Sequence, residues 1–185
     1  MMIRSGTEEA RDRFRMQFLN ETRPCTFRED VPEIKVGGQK IGPFKAGVRT
    51  NLSNWALETL MMHDLVDIDP AEAYESLRRL QNLYNAEQRD PHKLQTFPPF
   101  LYSALSRKMH RLQGDKTSLD PRRHDEIEKT RRMLEILIQT RLSKVIRVAK
   151  SGANQDKRRH MTLEERWLCD ELGMLMSAWR EIVTE

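Results

Sequence analysis

The stretch from Pro121 to Lys150 has no glycine, and no proline beyond its first residue. Within it Ile127, Leu134, Ile138, Leu142, Val145 and Ala149 recur at spacings of 7, 4, 4, 3 and 4. That interval is the helical one, and it predicts a single helix over 121–150, roughly 45 Å long at the standard rise per residue. A rod of that length is more than a one-domain chain of 185 residues usually needs. It must be covered by other helices of the same chain, by another chain, or by both.

The remaining helical signals are shorter. Ala10, Phe14 and Phe18 make one apolar stripe in a helix over 7–20. A helix over 53–63 starts at Ser53 as its N-cap and turns Trp55, Leu57, Leu60 and Met61 inward. Asp69 with Pro70 at the first helical position is a start signal for a helix carrying Tyr74, Leu77, Leu80 and Tyr84. The Pro91, Pro98 and Pro99 stretch is a breaker, and a helix over 98–112 follows it. Residues 151–160 are a polar, basic linker. Thr162 with Glu165 three residues on is a capping box that opens the last helix. The apolar residues of that helix cover more than one face, so the extra face is expected to meet another helix or another chain.

Between Cys25 and Ile68 the pattern is different. Gly37, Gly38, Gly42 and Gly47 cluster there, and Val31, Ile34, Val36 and Ile41 are β-branched. The run EIKVGGQKIGPF reads as a hairpin turning at Gly37-Gly38, and LVDI at 65–68 as a last short strand. A first strand at 25–28 is only sketched. The fold class is therefore α+β: a mainly α-helical bundle domain, residues 69–185, preceded by an N-terminal helix and a small β-rich domain, residues 1–68. A β module of this size is not stable without a neighbour.

Composition narrows the function classes. No run of apolar residues reaches the ~18 that a membrane span requires. The N-terminal MMIRSGTEEARDRF lacks an apolar signal region. Two cysteines, Cys25 and Cys169, make no disulfide framework and favour a reducing, intracellular setting. The net charge of +4 is a small remainder of two opposed segments. Residues 121–160 carry twelve Lys or Arg against five acids, while 161–185 carry two Arg against six acids. The basic stretch can contact a phosphate backbone through Arg122, Arg123, Lys157, Arg158 and Arg159. It can equally pair with acidic helices of this chain or of a partner. It holds no aromatic residue on which bases could stack, so any DNA contact is expected to be weak or indirect.

No catalytic constellation emerges. His63, His92, His110, His124 and His160 form no HxxxH pair. Asp67 and Asp69 could share a cation at a strand exit, but Val66 and Ile68 alternate with them as the buried side and Asp69 is placed to cap a helix. A metal-dependent hydrolase on His63, Asp64 and Asp67 is the enzyme-class alternative, and the weakest one. Gly37-Gly38 leads into a strand, not into the helix a phosphate loop requires. The expectation is no catalytic residue, no metal and no cofactor.

Four longer words carry a resemblance: IGPFKAGVRTNLSNWALETL at 41–60, QTFPPFLYSALSRKM at 95–109, QTRLSKVIRVAKSG at 139–152 and, more weakly, MTLEERWLCDELGMLMSAW at 161–179. Together and in this order they resemble a subunit of the GINS complex of DNA replication, in the class whose small β domain precedes the helical one. The resemblance implies that Gly42, Pro43 and Phe44, Pro98 and Pro99, and Arg141 with Lys144 are packing motifs of that family. It implies a non-enzymatic scaffold acting in a tetramer, two copies with two of a sister GINS subunit. Its further partners would be the MCM helicase and a RecJ-like protein, with no membrane. The location would be cytoplasmic at the nucleoid if the source is archaeal, as the shortness of the chain suggests, and nuclear if eukaryotic. Leu134, Ile138, Trp167, Met176 and Trp179 are the residues expected at the subunit interface, and Arg141 is expected in a paired, partly buried position. The alternative is a stand-alone basic DNA-binding protein using the 121–160 stripe.

Overall fold

The computed structural model describes residues 2–36, 39–69, 73, 76–114, 121–152 and 155–184. Its architecture is α+β, with seven helices and two small antiparallel sheets among these residues. By contacts the chain divides into two units, Met1–Phe14 with Tyr74–Glu185, and Arg15–Ala73. The division falls inside the first helix, α1 (Met2–Asn20).

The smaller unit is built on β1 (Thr22–Phe27), which lies between β4 (Arg49–Ser53) and β5 (Val66–Ile68) in an antiparallel sheet. The strand that was only sketched in the sequence is thus the central one. It contains Pro24, which has no N–H to donate and stands opposite Asn51. Alternate residues Arg23, Cys25 and Phe27 are buried. Cys25 and Phe27 join Val31, Val66 and, from α2 (Asn54–Met62), Leu57 and Leu60 in one core. Arg23 is buried because its Nε donates to the Asn54 carboxamide oxygen, and Asn54 Nδ2 in turn donates to the Phe18 carbonyl at 2.6 Å. Ser53 is the N-cap residue of α2, though its side chain makes no cap bond. The hairpin strands β2 (Ile34–Val36) and β3 (Gln39–Ile41) pair with Ile34 opposite Ile41. Their Gly37-Gly38 turn lies outside the described residues.

Gly42, Pro43 and Phe44 follow that hairpin. Gly42 has φ of 93°, and a Cβ there would sit 3.2 Å from the Pro32 carbonyl oxygen, so the position requires glycine. The Gly42–Pro43 peptide is cis. Phe44 exchanges two backbone hydrogen bonds with Val31, both at 2.8 Å, and stacks on Phe27 at 4.3 Å.

The larger unit consists of α3 (Leu77–Arg89), α4 (Leu101–Gly114), α5 (Pro121–Lys150), the short α6 (Gln155–Arg158), α7 (Leu163–Thr184) and the first part of α1. α5 spans the length read from the sequence. α3 opens at Ser76, whose Oγ accepts from the Arg79 N–H at 3.3 Å, while the Pro70 start signal lies outside the described residues. The Thr162–Glu165 capping box is present in both directions, at 3.1 and 3.0 Å. One core gathers Leu80, Phe97, Leu101, Leu105 and Leu137; a second gathers Leu94, Val145, Val148, Met161 and Cys169. The buried side of α5 is not the stripe read from its aliphatic residues. It is Thr130, Leu137, Arg141, Lys144, Val145 and Val148, turned by about one residue, because two cations belong to it.

Candidate assembly interface and its ionic core

Arg141 is 1% exposed and uses all five of its N–H donors. Nε donates to Glu165 Oε1 at 2.8 Å and Nη2 to Glu165 Oε2 at 2.5 Å, a two-pronged pair. The other Nη2 proton goes to the His160 carbonyl, and Nη1 donates to the Gln95 carbonyl at 2.9 Å and to Glu87 Oε2 at 3.2 Å. The guanidinium lies over the Phe97 ring, 4.1 Å from its centroid. Burial alone would lower the Arg141 pKa, but Glu165 and then Glu87 outweigh it and raise it.

Lys144, one turn along, caps a different helix. Its ammonium donates to the carbonyls of Glu87, Asp90 and Lys93 at 2.9, 2.6 and 2.9 Å. Those three bonds use its three protons, so Glu87 Oε1, 2.7 Å away, is held by charge alone. The Gln95 N–H also donates to Glu87 Oε2, at 3.0 Å, and the Tyr102 hydroxyl to Glu165 Oε1, at 2.7 Å. Two cations and two carboxylates thus form a neutral buried cluster joining α3, the 90–97 segment, α4, α5 and α7. Burial, then Glu165, pushes the Tyr102 phenol well above the ordinary tyrosine range. Beside it, burial raises the Glu164 carboxyl, although Oε1 accepts from the Ser103 hydroxyl at 2.8 Å and from its N–H at 3.2 Å.

Pro98 and Pro99 flank this cluster. The Pro98 carbonyl accepts from the Leu101 N–H at the start of α4, and the Pro99 carbonyl accepts from the Leu163 N–H at the start of α7. Glu87 is the member that sequence reasoning missed. Glu165 was read only as a capping residue.

The residues expected at a subunit interface fall into two groups. Leu134 is half-buried against the Leu80–Leu137 core, Trp167 meets the Phe14 ring edge-on at 6.4 Å, and Met176 is half-buried. Ile138 and Trp179 are exposed, at 40% and 62%. Trp179 is not alone, because Leu175, Ile182 and Val183 are more than half exposed. With Trp179 they repeat at helical spacing along the second half of α7, as one uncovered apolar stripe. The basic residues also separate. Arg158 makes a two-pronged pair with Asp170, Lys157 and Arg159 are exposed, and the Arg122 and Arg123 side chains lie outside the described residues.

The DxD carboxylates face arginines instead of a cation site. Asp67 pairs with Arg28, which also lies 3.9 Å from Asp64, and Asp69 pairs with Arg49 at 2.6 Å. Among the described residues no three His, Cys, Asp or Glu converge as a metal site requires, and no helix is long and apolar enough to cross a membrane.

No curated protein matches the chain. Residues 74–183, more than half of it, match the family Sld5, described as the GINS complex protein helical bundle domain. The match covers α3 to α7 and every member of the ionic cluster, so the chain belongs to the GINS complex protein family and is a subunit of a replication complex.

Proposed function

We propose that the chain is a non-catalytic scaffold of the replication fork. It acts in a tetramer, two copies with two of a sister GINS subunit, and links the MCM helicase to a RecJ-like partner to stimulate unwinding. Residues 1–68 are read as its N-terminal helix and small β-rich domain, and 69–185 as its helical domain. The observation that carries the reading is the stripe of Leu175, Trp179, Ile182 and Val183. Several large apolar side chains in a row are a liability in a monomer and the makings of an interface core. Leu134, Ile138, Trp167 and Met176 are the further contacts proposed for it. Gly42, Pro43, Phe44, Pro98, Pro99, Arg141 and Lys144 serve by fixing the two units internally.

The test is co-expression with the candidate sister subunit, followed by size exclusion with light scattering. A mass of four chains is expected. A well-behaved monomer that forms no complex but binds duplex DNA with a steep salt dependence would overturn the scaffold in favour of a stand-alone DNA-binding protein.

A further inference from the structure

The 90–96 segment, the last turns of α5 and residues 156–160 enclose a cleft of about 310 Å³ in the helical unit. Leu94 and Val148 form its apolar wall, and Lys144, already neutralised by Glu87, lies at its edge. The rest is basic. Lys93, Arg147 and Lys157 come from three separate segments and are exposed, and among the described residues Asp156 is the one acidic residue lining it. A cation in the last turn of a helix is favoured by the carbonyl end of that helix, which accounts for Arg147. It does not account for Lys93 and Lys157, which among the described residues have no acidic partner. Like charges gathered in a concave site repel one another until an anion enters.

The donors are also suited to an oxyanion. Arg147 Nη1 lies 3.0 Å from His92 Nδ1, and an arginine only donates, so the ring N–H of His92 is on Nε2. His160 is held by a 2.6 Å bond between its Nδ1 and Thr96 Oγ1. The cleft therefore combines flexible ammonium groups, one planar guanidinium and an imidazole N–H around a space larger than one phosphate. Among the described residues no Phe, Tyr or Trp lines it, so it offers no large aromatic platform on which a base could stack. The basic surface continues outside it through exposed Lys150, one turn beyond Arg147, and Arg159. A row of phosphates fits that continuation better than a single modified side chain does.

We propose that this cleft is a phosphate-binding site that takes the backbone of a nucleic acid without reading its sequence. The proposal stands independently of the tetramer. It is tested on the full chain by fluorescence anisotropy with a labelled DNA duplex over a salt series. Lys93→Glu with Lys157→Glu is expected to weaken binding about tenfold or more and to flatten the salt slope by about two. Lys129→Glu with Arg132→Glu, an equal charge change on exposed α5 positions outside the cleft, is expected to change affinity much less. Circular dichroism checks the fold, and Arg147→Gln is the second variant, expected to weaken binding severalfold. No binding by the wild type, or equal losses for the two charge-reversed pairs, would overturn the site. A phosphoserine peptide that binds in the cleft and is not displaced by the duplex would overturn the nucleic-acid assignment.

Discussion

Arg141 and Glu165 meet through two parallel hydrogen bonds, Nε to Oε1 and Nη2 to Oε2, with 1% and 6% of their side chains exposed. Removing one member of such a pair leaves the other charged, buried and unmatched. Arg141→Ala is expected to cost about 3–5 kcal/mol of stability, read from urea unfolding followed by circular dichroism. Arg141→Lys keeps the charge but offers three donors to five acceptors, and is expected to remain about 2 kcal/mol below the wild type. A wild-type midpoint for Arg141→Ala would mean that the cluster contributes nothing net.

Tyr102 tests the same cluster with a smaller change. Its hydroxyl donates to a carboxylate that the core cannot solvate. Tyr102→Phe keeps the ring and deletes that bond, and is expected to cost about 1.5–3 kcal/mol, the range for hydrogen bonds to charged groups. The loss should shrink when Glu165 is also replaced by Gln, because the two positions share the interaction.

Glu164 sets a pH dependence of known sign. Its carboxyl titrates higher in the folded chain than in the unfolded one, chiefly because it is buried. The protonated form is therefore favoured by folding. That contribution is fully present below the unfolded carboxyl pKa and is lost as pH rises through the folded value. Glu164→Gln removes the penalty, so the variant is expected to melt above the wild type at pH 7. The gap should close below about pH 4, where both states of the wild type are protonated. Thermal melts across that range decide the matter, and a gap that widens towards acid would refute it.

Trp179 separates assembly from folding. At 62% exposure it contributes little to the fold of the isolated chain, so Trp179→Ala should alter that stability by no more than about 0.5 kcal/mol. In the proposed tetramer the same change removes an aromatic anchor and is expected to weaken association by about 2 kcal/mol or more, some thirtyfold. Light scattering of dilution series with the sister subunit measures it.

Much of this architecture can be read from local pattern. The 121–150 rod, the hairpin strands and the Thr162–Glu165 cap each depend on neighbours a few residues away, and each stands where the spacing puts it. The ionic cluster does not have that property. Glu87 lies in the polar run NAEQR, which looks like a solvated end of α3, and its partners are 54 and 57 residues away. Only one trace of it is local: Arg141 and Lys144 fall between Leu137, Val145 and Val148 on one side of α5, where a wholly apolar stripe would be simpler. Counting aliphatic residues alone passed over that trace and rotated the stripe. The central strand is equally hard to see, because it contains Pro24, a residue whose missing N–H ordinarily keeps it out of the middle of a sheet.

Lys144 has a consequence for how the helical domain can vary. The carbonyls it holds, those of residues 87, 90 and 93, belong to the end of α3 and the turn beyond it. The end of α3 is thus measured off against a side chain from another helix. Inserting or deleting one residue between Glu87 and Lys93 would displace the Asp90 or Lys93 carbonyl relative to that of Glu87 and withdraw at least one of the three from the reach of a single ammonium. Surface loops elsewhere can lengthen cheaply. This junction cannot, and it acts as a ruler that holds α3 and α5 in a single register.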